Sequence, residues 1–469
     1  MTGAAGSGAA DAPTDPATAH AWHALGGAPE LVGRVTYAGS PGLRGVLPTR
    51  ELARASVGAC SLAAAELLAQ RNGRGLPAVH VDEGAVTAAF TSERHLRVEG
   101  RPIPLFAPLS GFWRAADGWV RTHANYPHHR ARLLAALELP DSGDDTDMVD
   151  RLSAAVGERD AVDVQETVYA AGGLAVAVSP PGAFEQPLVT TVAVEADAPV
   201  PLRPAALPVE GVRVLDLTRV LAGPVATRTL ALLGADVLRV DAPWLREDDG
   251  THIDTGFGKR TALLALGDVA DRATFEQMLD AADVVLVGYR PGALDRYDLS
   301  ADALLARRPG LVVAELCAWG WDGPWVGRRG FDSLVQAGTG ISVIEQADDG
   351  RPGALPAQAL DHSTGYLVAA AVMRALTSRA LTGAGQHVRL SLAGTATWLL
   401  GIVPLAAPAP GTEPPDRWLV ETGSPYGRLR HALSPIGVEG VPSDWSRPPS
   451  RWGTDEARWG SPGPVTPGG

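Results

Sequence analysis

Lysine is almost absent from these 469 residues: Lys259 is the only one among 40 basic side chains. Cysteine is nearly as scarce. Cys60 and Cys317 stand far apart, which excludes a disulfide framework and a clustered thiolate metal site. A reducing, cytoplasmic setting is therefore expected. No apolar run reaches the length of about 18 residues that a membrane span needs. The longest, Trp398 to Ala407, is short and interrupted by Pro404. Residues 1–20 lack both the basic opening and the apolar centre of a signal peptide, and predict a disordered tail. Positive charge is also in deficit, 40 against 53 acidic residues, for a net charge of −13. That balance argues against nucleic acid or an anionic membrane as partner. The usual catalytic signatures are missing as well: no G-x-S-x-G elbow, no P-loop, no H-E-x-x-H, no C-x-x-C. His123, His128 and His129 cluster in THANYPHH without acidic or thiol companions, so they read as surface residues rather than metal ligands.

What remains is an ordinary globular composition, 45% hydrophobic and 20% charged, in a chain long enough for two or three domains. The Pro/Ala stretch 196–208 (ADAPVPLRPAALP) reads as a linker between two better-patterned halves. Beyond it, short apolar runs predict strands at 212–217, 236–240, 284–287 and 311–316. Helical periodicity falls between them at 222–233, 269–282, 301–307 and 331–343. Strands alternating with helices in this way predict an α/β fold: a parallel sheet with helix crossovers, its ligands beyond the carboxyl ends of the strands. From about 407 the chain is dense in Pro, Gly and Trp and reads as loop.

The halves also echo each other. Residues 47–82 and 355–392 both run from Leu-Pro through a Ser-x-Gly opening and an Ala-rich helix to a Gly-rich turn and a strand. Aligned on Ser-x-Gly, Asp361 in ALDHSTGY corresponds to Arg54 in the first copy. Asp361 has two readings. As a helix N-cap it would accept first-turn amides; as a nucleophile it would present a carboxylate beside a small-residue turn. Cations gather in the second half at Lys259–Arg260, Arg290, Arg296 and Arg328–Arg329, in loops that suit a phosphorylated ligand. Lys259 stands out because the chain uses Arg everywhere else, and a compact ammonium does not replace a guanidinium fork.

The segments 211–243, 256–266, 282–300, 327–342 and 359–376 resemble, in order, the class III CoA-transferases, the CaiB/BaiF and formyl-CoA transferase-like family. The closing stretch 423–455 resembles the family's end more weakly. The first half resembles the family out of order: 50–82 looks like the helix after the nucleophile, while 116–139 and 166–178 look like the later, smaller domain. The chain thus resembles a rearranged or partly duplicated member. Its expected organisation is a tail at 1–20, a degenerate late-family domain at 21–195 lacking the nucleophile, and the linker 196–208. A Rossmann-like CoA-binding catalytic domain at 209–405 and a closing segment at 406–469 follow, and the resemblance pairs that large domain with a smaller α+β domain.

The resemblance implies a transferase that moves CoA from an acyl-CoA to a small carboxylic acid, with no permanently bound cofactor and no metal. Asp361 would be the nucleophile, through an aspartyl anhydride and an aspartyl-CoA thioester. Val220, Leu221 and Ala222 would line the nucleotide; Lys259 and Arg260 would approach the CoA phosphates; Tyr289, Arg296 and Arg329 would serve the adenine and phosphate region. Ala242 and Gly288 depart from residues common in the family. A homodimer is implied as well. Two rival readings are a non-catalytic acyl-CoA-binding protein and an α-methylacyl-CoA racemase. The second suffers because Phe331 stands where such racemases carry a proton-transferring His.

Overall fold

The computed structural model describes residues 15–39, 42–104, 106–182, 184–195, 198–405 and 415–460. Its centre is a seven-stranded sheet built from β1 (Thr190–Ala193), β2 (Arg213–Leu217), β3 (Asp236–Asp241), β4 (Arg260–Leu263), β5 (Val284–Val287), β6 (Val312–Cys317) and β7 (Gln386–Ser391). The spatial order is β4-β3-β2-β5-β6-β7-β1. Neighbours from β4 through β7 pair parallel, and only the edge strand β1 runs antiparallel. Val284–Val287 is buried at every position, as a strand covered on both faces must be. The chain reverses direction across the sheet at β2, since β3 lies on one side of it and β5 on the other. A crevice opens at such a switch point beyond the carboxyl ends of the strands.

The sequence-based strands and helices of this half recur within a residue or two, with one difference. The helix expected over 331–343 is two pieces, α4 (Asp332–Gly338) and Ile341–Ile344, because Gly340 adopts φ +87° between them. A side chain is excluded there: a Cβ would meet the Pro181 nitrogen at 2.3 Å.

The two echoing segments form the longest helices, α2 (Thr49–Asn72) and α5 (Ala359–Thr382), which pack against each other in the core. Both are buried over most of their length. α2 satisfies the length and hydropathy of a membrane span, but 83% of its most apolar window is enclosed by protein. α5 also packs on α3 (Ala222–Leu232). Before α2 comes a helix α1 (Pro16–Ala24) with Asp15 as N-cap, so the expected tail turns helical before residue 20; residues 1–14 lie outside those described.

The first half does not form one body. Its strand Val35–Ala38 pairs with Val79–Asp82 beside α2. Residues 109–177 make a smaller unit: a three-stranded antiparallel sheet (Phe112–Arg114, Trp119–Thr122, Ala175–Ala177) with helices at Pro127–Ala136, Asp145–Gly157 and Ala161–Ala170 around its own core. The linker, described from 198, runs without regular structure and is tied to the end of α2. There Arg71 donates to the carbonyls of Leu207, Pro208 and Glu210, and Asn72 pairs with Ala205. The closing segment corrects the expectation of loop. Leu419–Ser424 and Gly427–Ala432 form a hairpin that recruits Arg97–Val98 and Arg101–Pro102 into a four-stranded sheet.

Candidate active site

A cavity of about 660 Å³ opens where the switch point requires, beyond the ends of β2, β3, β5 and β6. Val220, Leu221 and Ala222 form one wall, Gly288, Tyr289 and Arg290 another, and Asp361 and Phe331 sit at the inner end. Arg296 and Arg329 line it too. Seven of the expected site residues therefore meet around one space: Asp361, Val220, Leu221, Ala222, Tyr289, Arg296 and Arg329. The smaller unit closes the opposite side with Tyr126, His128, His129 and Arg132.

Asp361 is not an N-cap. Gln358 holds that position, and Asp361 lies within the first turn of α5. The capping is done by Asp332 of α4, whose carboxylate accepts the amides of Leu360 (2.9 Å) and Asp361 (3.0 Å) and the side chain of Gln336. Two buried carboxylates thus share one helix start. Burial pushes Asp332 up to about 6, against the pull of its three donors. Asp361 is pushed well above the ordinary carboxylate range, first by burial and then by the neighbouring Asp332 charge, opposed by the amide of Ala222. Asp361 has a single donor against the three of Asp332. Close approach of α5 to α3 makes the Ala222 contact, and it depends on Gly365: a Cβ there would meet the Ala222 carbonyl at 2.6 Å.

Ala222 is aimed by strain. Val220 adopts φ +68°, a left-handed conformation that β-branched residues avoid. Its amide donates to Glu247 at 2.9 Å. Glu247 is buried and also receives Arg239 at 3.1 Å and the hydroxyl of Tyr126 from the smaller unit. Burial would raise Glu247, but Arg239 and Arg219, then the Tyr126 hydroxyl and the Val220 amide, outweigh it and hold the carboxyl down at about 2. One buried carboxylate therefore ties the strained turn to the opposite wall.

The outer part of the cavity is cationic. Arg132, Arg219, Arg290, Arg296, Arg328 and Arg329 all line it. Among the described residues, Arg290, Arg296 and Arg329 have no ion-pair partner. Arg329 is pushed below the usual guanidinium range, first by burial and then by the charges of Arg290 and Arg132. Cations left facing one another in an acidic protein await an anion. Trp244, 69% exposed, stands at the rim and offers an aromatic face.

Three expectations are corrected. Lys259 does not reach the cavity: it is buried under α3, bound to Asp216 (3.3 Å), Thr227 (2.9 Å) and the Pro224 carbonyl. Desolvation lowers it to about 8, Asp216 opposing. Arg260 pairs with Asp236 at 2.7 Å and the Arg458 carbonyl, also away from the cavity. Of the histidine cluster only His128 is on the surface: His123 and His129 are buried, and His123 stacks on Phe331 with ring centroids 3.8 Å apart. No group of metal-ligating side chains exists among the described residues. Sequence reasoning missed Asp332 and Glu247; the first stood beside the noted Phe331, while nothing local marked the second.

Residues 209–428 match the sequence model of CoA-transferase family III. The chain is 32% identical over 213 residues to the probable fatty acyl-CoA transferase Rv3272 of Mycobacterium tuberculosis, covering 43% of this chain and 54% of that protein. It is 30% identical over 203 residues to the succinate–glutarate CoA-transferase of Agrobacterium fabrum (39% and 51%), and 32% identical over 194 residues to the formyl-CoA:oxalate CoA-transferase of Streptomyces coelicolor (39% and 47%). A crystal structure of the Mycobacterium tuberculosis Rv3272 protein aligns at 32% identity over 43% of this chain and 57% of the other, with a TM-score of 0.39. The chain spans about half the length of the curated relatives it matches. The match to CoA-transferase family III covers residues 209–428, a little under half of the chain.

Proposed function

We propose that the protein is a CoA-transferase that exchanges CoA between an acyl-CoA and a free carboxylic acid, with Asp361 as the covalent relay. The observation that carries this reading is the placement of Asp361: a buried carboxyl at the inner end of a cation-lined cavity large enough for a nucleotide thioester. The Asp361 carboxylate attacks the thioester carbonyl, the C–S bond breaks, and CoA thiolate leaves with its electron pair. The resulting mixed anhydride is reopened by the thiolate at the aspartyl carbonyl, which expels the donor acid as its carboxylate and leaves aspartyl-CoA. An acceptor carboxylate then attacks that thioester, and the steps run in reverse. No ATP is needed, because each thioester formed replaces one of similar energy, provided water is kept out. The amide of Ala222 is set to stabilise charge on the aspartyl oxygen. The arginines would hold the CoA phosphates, and Trp244 or Tyr289 the adenine.

A Rossmann-like reading of the sheet at 209–405, with 109–177 as the smaller α+β domain, accords with this assignment. The resemblance also brings a homodimer and a cytoplasmic setting. A racemase is disfavoured by Phe331, which cannot carry a proton beside Asp361.

The test is mass spectrometry of the protein after incubation with an acyl-CoA panel and a hydroxylamine or borohydride quench. A modification at Asp361, lost in Asp361→Ala, is expected. CoA binding with no adduct and no exchange would leave the non-catalytic acyl-CoA-binding reading in its place.

A further inference from the structure

A second cavity, about 310 Å³, lies behind the inner end of the first and shares with it the wall made by Tyr126, Val220, Leu221 and Phe331. It reaches Asp332 and Gln358, the groups flanking the helix start that carries Asp361. Its apolar lining comes from Leu96, Ile103, Pro104, Phe106, Pro108 and Phe331, much of it from the segment between the first half and the smaller unit. Among the described residues it has no Arg or Lys in its wall. The one titratable base there, His123, is held neutral by burial and by Arg121, down to about 3.

Its charged wall residues are all acids, Glu93, Asp248, Asp254 and Asp332; three are engaged, while the buried Oε2 of Glu93 has no hydrogen-bond partner. Glu93 approaches His362 at 3.8 Å. Asp248 caps the helix Asp249–Thr255 through the amide of Thr251. Asp254 accepts Ser92 at 2.7 Å and pairs with Arg228 at 3.4 Å. Asp332 caps α5. A second carboxylate on a substrate would therefore enter an acidic space with no Arg or Lys among its described wall residues. The Arg121 guanidinium lies over the rings of Phe106 and Phe112, and that of Arg228 is held by Asp254.

Taking the CoA-transferase reading as its premise, we infer that this chamber receives the acyl group and selects apolar monocarboxylic acids, rejecting dicarboxylic ones. The first cavity is then the nucleotide's, and the shared wall is where the thioester meets Asp361. Discrimination by a chamber that offers no partner to a buried charge is steep.

Calorimetry with hexanoyl-CoA, succinyl-CoA and CoA itself tests the chamber without requiring turnover. Hexanoyl-CoA is expected to bind at least tenfold tighter than succinyl-CoA, and tighter than CoA. In the exchange assay hexanoate should likewise be preferred over succinate and oxalate as acceptor. Equal or tighter binding of succinyl-CoA would overturn the inference and point to Arg121 swinging inward; preference for a trimethylammonium acyl-CoA would overturn it equally. If hexanoyl-CoA binds selectively but no exchange or Asp361 adduct forms, the chamber stands as an acyl site and the transferase reading fails. Thr251→Arg, on the half-buried rim helix, should narrow the gap by raising affinity for succinyl-CoA several-fold.

Discussion

Asp361 and Asp332 are held in a state the fold does not favour at neutral pH. A carboxyl raised on folding contributes stability that is complete below the ordinary carboxylate value near 4 and is lost as pH rises through the raised one. For Asp332 that means loss through about 6, and for Asp361 higher still. Asp361→Asn removes the more costly ionisation while keeping the shape. It should abolish exchange yet stabilise the protein by about 1–3 kcal/mol at pH 8, the difference fading toward pH 4. Calorimetric melting across that range checks it; a variant less stable at pH 8 would show that the Asp361 carboxylate is well satisfied. The residue scale is also where the sequence was least legible. Asp361 stood out by its motif and helix start, whereas Lys259 stood out by rarity and lies buried against Asp216 and Thr227, away from the cavity. Glu247 acts through partners at 126, 219, 220 and 239, and only the folded chain brings these together.

At the scale of elements, the approach of α5 to α3 sets the nucleophile against its amide donor. Gly365→Ala places a methyl against the Ala222 carbonyl, and overpacking of this kind costs about 1–3 kcal/mol. The larger effect should fall on catalysis: displacement of the Ala222 amide is expected to lower kcat by tenfold or more, with little change in CoA affinity, measured by steady-state exchange and calorimetry. Local patterning was enough to read the crossover strands and helices of 213–317, because each is buried against its sequence neighbours. It was not enough for the hairpin at 419–432, whose partners lie at 97–102 and whose pairing no local period announces. The break at Gly340 likewise depends on the distant Pro181.

At the scale of the molecule, the two echoing segments form a packed helix pair, and the first carries no carboxylate at the place of Asp361. Where α5 carries Asp361, α2 carries Arg54, bound to Glu83 at 3.0 Å and Asp15 at 3.3 Å with its guanidinium over Tyr37. Both halves of the chain line the cavity that Asp361 reaches. Specific activity should stay constant on dilution from micromolar to nanomolar chain, and a fall would reveal a wall supplied by a second copy.

The arginine-lined mouth has a practical consequence at the bench. A protein of pI about 5.3 should pass through a phosphocellulose or sulfonated-dye column at neutral pH. Here six arginines gather in one concave opening. Such a column can engage the opening alone, since fields are screened within about 10 Å at 0.1 M salt. Retention followed by elution with free CoA, rather than with a modest rise in salt, would turn the cavity itself into a purification handle.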